Sequence, residues 1–244
     1  MDKSIYVNAM THLEKFLGGL DKKLTNTDLS RKDILIYAVY PLHMIGMDSQ
    51  VFFHEKEDDY VPRGTVDFAG RYEGMDKRVH IDIIYHPEDT VYNWNEWLWA
   101  YIRGIYFDTL SHEIMHIYQN EKREAVGIAD HQRLVTHKEY KCIANQDEDE
   151  NGLYLINPDE VEAYAYNLAS QLFRRYRSYE GALHALRKQH FNNIETVVYY
   201  SKFIKANSYI HKRLMKKTVH YLTLKYGDTV DKPEMVRSQV IQNK

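Results

Sequence analysis

Three residues near the middle of the chain have the types and the spacing of a metal site. In the stretch SHEIMHIYQ, His112 and His116 are four residues apart, and Glu113 directly follows the first of them. Side chains four residues apart on a helix point the same way, so two neutral imidazoles placed like this can bind one zinc ion. Glu113 is too close in sequence to join them as a ligand, but it can reach a water on the metal and act as a general base.

A chain with 13 histidines also produces such patterns by chance. The segment HEKED, His54–Asp58, has half of the motif, but it lacks the second histidine and lies in a strand or turn pattern, so we interpret it as solvent-facing. The alternative for His112 and His116 is a polar stripe on an ordinary helix. The apolar residues Leu110 and Ile114 indicate that one side of this helix is buried next to the histidines, and this context favours the metal site.

A catalytic zinc ion takes three protein ligands and leaves a fourth position for water, so a third ligand is required. Two histidines, His131 and His137, follow in the next loop region, and two carboxylates, Glu160 and Glu162, open the helical segment NPDEVEAYAYNLA. Glu162 lies among alanines that allow close helix packing, where a carboxylate is costly unless it is paired or binds metal. Glu160 better fits a first-turn acid that interacts with the helix dipole. We therefore favour Glu162 and keep the two histidines as alternatives.

The segments before the motif have first helical and then strand patterns. Residues 4–17 have apolar positions at helical spacing and stop at a Gly-Gly pair. Ser30 can cap a second helix, with Asp33 favourably placed in its first turn. Because proline does not continue a helix comfortably, Pro41 predicts that this helix ends near Tyr40.

Between about residues 50 and 86 the apolar pattern has a period of two, which is typical of strands. Three segments have this composition: QVFFHE, GTVDFAGRYE and RVHIDIIYHP. In the third, Val79, Ile81 and Ile83 share one face, while polar residues share the other. We predict a small meander of three antiparallel strands.

From Asn93 onward the helical period returns, with Asn93 or Asn95 as a plausible cap. The apolar stripe predicts one long helix through the motif, or two helices with a break near Gly104. Its first members are Trp94, Trp97, Leu98, Tyr101, Ile102 and Ile105. A loop-rich region, 125–157, precedes three or four further helices over 158–226, the first of them capped by Asn157.

These elements predict an α+β fold that is predominantly helical, with a small antiparallel sheet before the helix that carries the motif. We divide the chain into an N-terminal helical segment, 1–50, a core, 51–178, and a C-terminal helical extension, 179–244. One continuous domain is the alternative to this division.

The composition is that of a globular protein without disulfides. Hydrophobic residues make up 44% and charged residues 27% of the 244 residues. The single cysteine, Cys142, excludes an internal disulfide and a thiolate zinc cage. The N-terminal residues carry charges throughout, and no apolar run is long enough to span a bilayer. We therefore expect a cytoplasmic protein that has no membrane partner.

The net charge of −3 is unevenly distributed along the chain. Residues 201–244 contain ten Lys or Arg against three Asp or Glu, whereas residues 145–151 form a short acidic run. Such segments are ordinarily solvated surface. The basic end also fits a face for nucleic acid or another anionic partner.

The stretch DTLSHEIMHIYQ, followed later by NPDEVEAYAYNLA, resembles the zinc peptidases of the gluzincin type, especially small ones common in bacteriophages and bacteria. The resemblance covers roughly residues 65–175 and implies a zincin-like fold. It implies that His112 and His116 are zinc ligands. It also implies that Glu113 is the general base and Glu162 the third ligand. RVHIDIIY then corresponds to the edge strand that holds an extended substrate above the metal.

A second resemblance nominates a different third ligand. FAGRYEG, RVHIDI, the HExxH motif and HKEY together resemble SprT-like proteases, whose third ligand is a histidine before a short aromatic-containing segment. Here that histidine is His137 or His131. Both families imply a zinc-dependent metallopeptidase that acts on peptide or protein substrates. The oxyanion formed in such a reaction needs a further donor, for which Tyr154, Tyr166 and His131 are candidates that the sequence does not separate.

The alternative function is a nucleic-acid-binding or assembly-binding protein whose metal site is vestigial or structural. Its support is the basic C-terminal region, which would provide the contact with an anionic partner.

Overall fold

The computed structural model describes residues 3–44, 48–55, 61–73, 78–127, 150–188, 190–191, 193–205 and 208–227. The chain divides into two compact units, residues 1–132 and 133–244, and each is described by itself. The three segments expected from the sequence stay a prediction. Among the described helices, none combines the length and the apolar character needed to cross a bilayer.

The described part of the first unit contains both helices and strands. In chain order they are α1 (Lys3–Gly19), α2 (Asp21–Leu24), β1 (Asp28–Ser30), α3 (Arg31–Met44), β2 (Asp48–Glu55), β3 (Val66–Glu73), β4 (Arg78–Tyr85), β5 (Val91–Asn93) and α4 (Glu96–Glu124). This mixture confirms the predicted α+β class at the level of helices combined with small sheets.

The three predicted strands form one sheet, but not the predicted meander. Their order is β2-β4-β3, with β2 parallel and β3 antiparallel to β4. The prediction of an all-antiparallel sheet is therefore wrong, as is the expectation that RVHIDIIY lies at the edge. This strand is β4, and both of its faces are largely buried. Apolar residues on both faces suit a central strand, whereas β3 and β2 are more exposed edge strands.

A second, two-stranded sheet pairs β1 with β5 in antiparallel register, and Asp28 lies opposite Asn93. The sequence analysis did not anticipate this pairing. The strands have only three residues each, too few for a period-two pattern to be recognised.

The helix α4 is continuous over 29 residues, so it is the single long helix of the two predicted alternatives. The Asn95 side chain caps it by accepting a hydrogen bond from the Leu98 backbone N–H at 2.8 Å. The predicted apolar stripe is narrower than expected. Ile102 is buried as predicted, but Trp97 and Tyr101 are 76% and 56% exposed.

The helix α3 continues through Pro41 to Met44, so the prediction that it ends near Tyr40 is wrong. A proline removes one backbone N–H, here the donor that would bond to the Tyr37 carbonyl. The loss of one hydrogen bond does not end the helix, which runs three residues beyond Pro41.

The second unit is helical in its described residues. Its elements are α5 (Glu150–Ile156), α6 (Pro158–Tyr176), α7 (Tyr179–Lys188), α8 (Glu195–Tyr199), α9 (Ser201–Lys205) and α10 (Tyr209–Tyr226). The predicted start of α6 is confirmed, because the Asn157 side chain accepts a hydrogen bond from the Asp159 N–H at 3.0 Å and Pro158 is the first helical residue.

The two long helices of this unit pack side by side through aromatic rings. The Tyr166 and Tyr221 rings meet edge to face with centroids 5.4 Å apart. The Phe173 and Tyr226 rings are stacked near the carboxyl ends of the same helices. The earlier residue of α6 contacts the earlier residue of α10, and the later residue contacts the later one. The helices α6 and α10 are therefore roughly parallel.

The start of α3 is a capping box formed by Ser30 and Asp33. The Asp33 carboxylate accepts hydrogen bonds from the Ser30 hydroxyl at 2.6 Å and from the Ser30 backbone N–H at 2.8 Å. In return, the Asp33 N–H donates to the Ser30 hydroxyl at 3.3 Å. The Ser30 hydroxyl, and then its backbone N–H, lower the pKa of Asp33.

We predict that NMR titration will find the pKa of Asp33 below its ordinary value, and that Ser30→Ala will raise it. Because the folded-state pKa is lowered, this carboxylate stabilises the fold fully above the ordinary Asp pKa, and the contribution is lost as the pH falls through the lowered value. An Asp33 pKa that Ser30→Ala leaves unchanged would contradict the assignment.

Candidate metal centre

The two histidines of the motif lie side by side on α4. Their rings are nearly perpendicular, at 77°, with centroids 4.8 Å apart. His112 is buried and His116 is partly buried. The Nδ1 atom of His116 lies 2.9 Å from Gln119 Oε1. With its ring hydrogen on Nδ1, His116 donates to this oxygen and keeps the lone pair of Nε2 for a metal ion, an arrangement that is usual for ligating histidines.

A carboxylate completes the group. His112, His116 and Glu160 each offer one ligand atom, and the three atoms lie within 4.8 Å of one another. Two imidazoles and one carboxylate are the donor set of a catalytic zinc site, which leaves a position for water. Glu160 is 8% exposed, and a carboxylate so well buried is costly unless it is compensated. The three residues could therefore hold a metal ion.

The favoured third ligand from the sequence, Glu162, is elsewhere in the structure. Its Oε1 atom accepts hydrogen bonds from Lys217 Nζ at 2.7 Å and from the Tyr221 hydroxyl at 2.8 Å, both on α10. Residues two apart on a helix point about 200° away from each other, so Glu160 and Glu162 face opposite sides of α6. Glu160 is the carboxylate grouped with the histidines, and Glu162 as the third ligand stays a prediction.

The general-base candidate, Glu113, is 3% exposed on α4, and β3 approaches it closely. A Cβ atom added to Gly70 would lie 2.8 Å from Glu113 Cγ and 2.9 Å from both Glu113 Oε1 and Thr109 Cγ2. Such distances exclude a side chain at this position unless Glu113 or Thr109 moves. The lack of a side chain at Gly70 therefore leaves room for the Glu113 carboxylate in this position. The sequence analysis missed it, although a glycine inside a strand pattern often marks a close backbone approach.

Tyrosines surround Glu160 within the second unit. The Tyr154 hydroxyl is hydrogen-bonded to Glu160, and partial burial, followed by the negative charge of Glu160, raises the pKa of this phenol. Burial, followed by Tyr164 and Glu160, also raises the pKa of Tyr200, whose hydroxyl donates to the Leu155 carbonyl at 3.0 Å. Both phenols remain protonated at neutral pH, so Tyr154 can donate to the carboxylate and fix its orientation.

The remaining candidates are His131, His137 and Tyr166. His131 and His137 lie outside the described residues. The Tyr166 ring packs against Tyr221, and Lys225 Nζ lies 5.2 Å from its centroid.

No protein-family model, curated protein sequence or solved structure is detectably similar to this chain. The chemistry of the site therefore rests on its own residues.

We predict that Glu160→Gln and Glu162→Gln will have opposite effects. Glu160→Gln should weaken zinc binding by at least the roughly 10–100-fold that follows the loss of a supporting hydrogen bond. Glu162→Gln should leave zinc binding unchanged but lower the free energy of unfolding by about 1–2 kcal/mol, because it weakens the partly exposed contacts to Lys217 and Tyr221. Zinc titration and chemical denaturation would compare the zinc affinity and the free energy of unfolding of the two variants. Loss of zinc in Glu162→Gln with zinc retained in Glu160→Gln would restore Glu162 as the ligand.

A second prediction concerns Gly70, which lies against the Glu113 side chain. Gly70→Ala should retain zinc, because its Cβ meets Glu113 and Thr109 and neither is a proposed ligand. It should displace the Glu113 carboxylate and destabilise the fold by roughly 1–3 kcal/mol, the usual cost of overpacking. A crystal structure of the variant and its denaturation curve would test both effects. The control is Gly104→Ala on α4, where an added Cβ meets no atom within 4 Å. Unchanged stability together with an unmoved Glu113 would refute the role of Gly70.

Proposed function

We propose that this protein is a zinc-dependent metallopeptidase that hydrolyses peptide bonds in peptide or protein substrates. His112, His116 and Glu160 would hold the metal, and Glu113 would act as the general base. The observation that carries the proposal is the convergence of these three ligand atoms within 4.8 Å, on a motif that places a buried carboxylate directly after the first histidine.

A bound zinc ion would lower the pKa of a coordinated water and would polarise the substrate carbonyl. Glu113 would accept the proton of the attacking water and later deliver it to the leaving amine. Its burial removes competing bulk water, and Gly70 on β3 restricts where its carboxylate can lie. Tyr154 would support the site by orienting the carboxylate of Glu160.

The neighbourhood of Glu113 favours a polypeptide as the substrate. Among the described strands, β3 is at an edge of the sheet, and it runs past Glu113 at Gly70. An edge strand has one row of backbone N–H and C=O groups that can pair with an extended chain. A peptide bound in this way would have its backbone close to the base.

The second candidate function is binding of nucleic acid or another anionic assembly through α10. Lys212 and Lys216 are exposed one turn apart on this helix. Other cations of the same helix have partners within the fold, since Lys217 is paired with Glu162 and Lys225 lies over the Tyr166 ring. If this function holds, binding should be salt-dependent and should survive Glu113→Gln.

We predict that protein purified without chelator will contain about one zinc ion per chain, and that Glu113→Gln will keep this zinc while losing hydrolysis by about 100-fold or more. Elemental analysis and cleavage of casein, an unstructured general substrate, provide the two measurements. His116→Ala is the matched control, because loss of a ligand should remove both zinc and activity. Full activity of Glu113→Gln, or a wild-type protein without zinc, would disprove the proposal.

A further inference from the structure

Two aromatic side chains at the start of α4 face solvent. Trp97 is 76% and Tyr101 is 56% exposed, although other large residues of the same turns, such as Trp99 and Ile102, are buried. The Trp97 and Tyr101 rings are nearly parallel, at 7°, with centroids 6.3 Å apart. This separation exceeds that of directly stacked rings, so the pair is strongly offset and presents more ring surface than one residue could. Exposed aromatic surface of this kind is typical of binding sites.

A cleft of about 330 Å³ lies beside the first turns of α4. Its lining includes Glu96 and Ala100, the chain neighbours of Trp97 and Tyr101. The complete lining is Asp21, Thr25, Glu96, Trp99, Ala100 and Arg103. The volume lies within the range of small ligand pockets and accommodates one long side chain.

The charges in the cleft do not balance. Asp21 is satisfied, because its carboxylate accepts from Arg103 Nη1 at 2.7 and 2.9 Å and from Trp99 Nε1 at 2.6 Å. Arg103 and Asp21 therefore neutralise each other. Glu96 is exposed and has no ion pair among the described residues, so the net charge of the cleft lining is negative.

Negative charge near solvent-exposed aromatic rings favours a cation. A guanidinium can stack on an aromatic ring while its N–H groups reach a carboxylate, which a neutral ligand cannot do with the same strength. A nucleic acid would instead bring phosphates towards Glu96. We propose that the Trp97–Tyr101 pair and the adjoining cleft bind an arginine side chain of a basic, extended polypeptide segment. This site does not depend on the proposed peptidase function, because it shares no residue with the metal group.

Binding can be measured by fluorescence anisotropy with a fluorescein-labelled peptide of alternating arginine and serine. All proteins are full-length and carry Glu113→Gln, so that the peptide is not consumed. The double variant Trp97→Ala/Tyr101→Ala should bind about tenfold more weakly, and Glu96→Gln about threefold more weakly, as expected for exposed cation–π and ionic contacts. Trp97→Phe/Tyr101→Phe should retain most of the affinity, because it keeps the aromatic faces.

Two controls separate this site from general attraction to a charged peptide. Tyr209→Ala removes an exposed tyrosine, 37% accessible, from α10 and should leave binding unchanged. A peptide with citrulline in place of arginine has the same shape without the charge and should bind at least about fivefold more weakly. Circular dichroism melts of the variants should coincide, because the substituted side chains are exposed.

Three results would overturn the proposal: equal binding of the arginine and citrulline peptides, unchanged affinity in the double alanine variant, or no binding at millimolar peptide. Binding of maltoheptaose that is lost in the double alanine variant, without binding of the arginine peptide, would assign the surface to a neutral saccharide instead.

Discussion

The close contact between Gly70 on β3 and Glu113 on α4 is the constraint on which the geometry of the first unit depends. A strand that carried any side chain at this position could not lie as near to the helix without moving the carboxylate. The residues two before and two after Gly70 face the same helix, as the period of a strand requires. The Thr109 hydroxyl donates to the Phe68 carbonyl at 3.3 Å, and the Asn120 amide donates to the Tyr72 hydroxyl at 3.2 Å. The strand is thus held at three levels along α4, and the base is at the middle one.

The same helix places many polar groups in a buried environment, which is costly for the fold. Its buried polar residues are Asp108, Ser111, His112, Glu113, Gln119 and Asn120. Each such group must recover the hydrogen bonds that it loses on leaving water, or destabilise the protein. Gln119 compensates in this way by accepting from His116, and Asn120 does so through Tyr72. A bound cation would add to the interactions that His112 and Glu160 make within the fold, so stability and metal binding would be linked.

Features that depend on a few neighbouring residues were predictable from the sequence. The caps at Asn95, Asn157 and Ser30 follow from local hydrogen-bonding chemistry and occur as expected. The order of the strands was not predictable from neighbouring residues. β2 and β4 pair in parallel although β3 lies between them in the chain. The burial of β4 on both faces reflects its central place, since the polar residue His80 is also buried, while Arg78 and Asp82 are partly exposed. The exposure of Trp97 was not predictable either, because an apolar residue at helical spacing looks the same in the sequence whether or not another element covers it.

The choice between the two carboxylates of α6 depends on which elements pack against the helix, and neighbouring residues in the sequence do not show this. Alanines around Glu162 correctly indicate a closely packed helix face, but they do not identify what packs there. In the structure the partner of Glu162 is α10, whose Lys217 and Tyr221 donate hydrogen bonds to this half-buried carboxylate. Because the two positions are about 200° apart around the helix, Glu160 lies on the other side of α6, where Tyr154 is hydrogen-bonded to it. A buried carboxylate near a metal-binding motif is therefore informative only when the cations and hydroxyls of every helix packed against it are known.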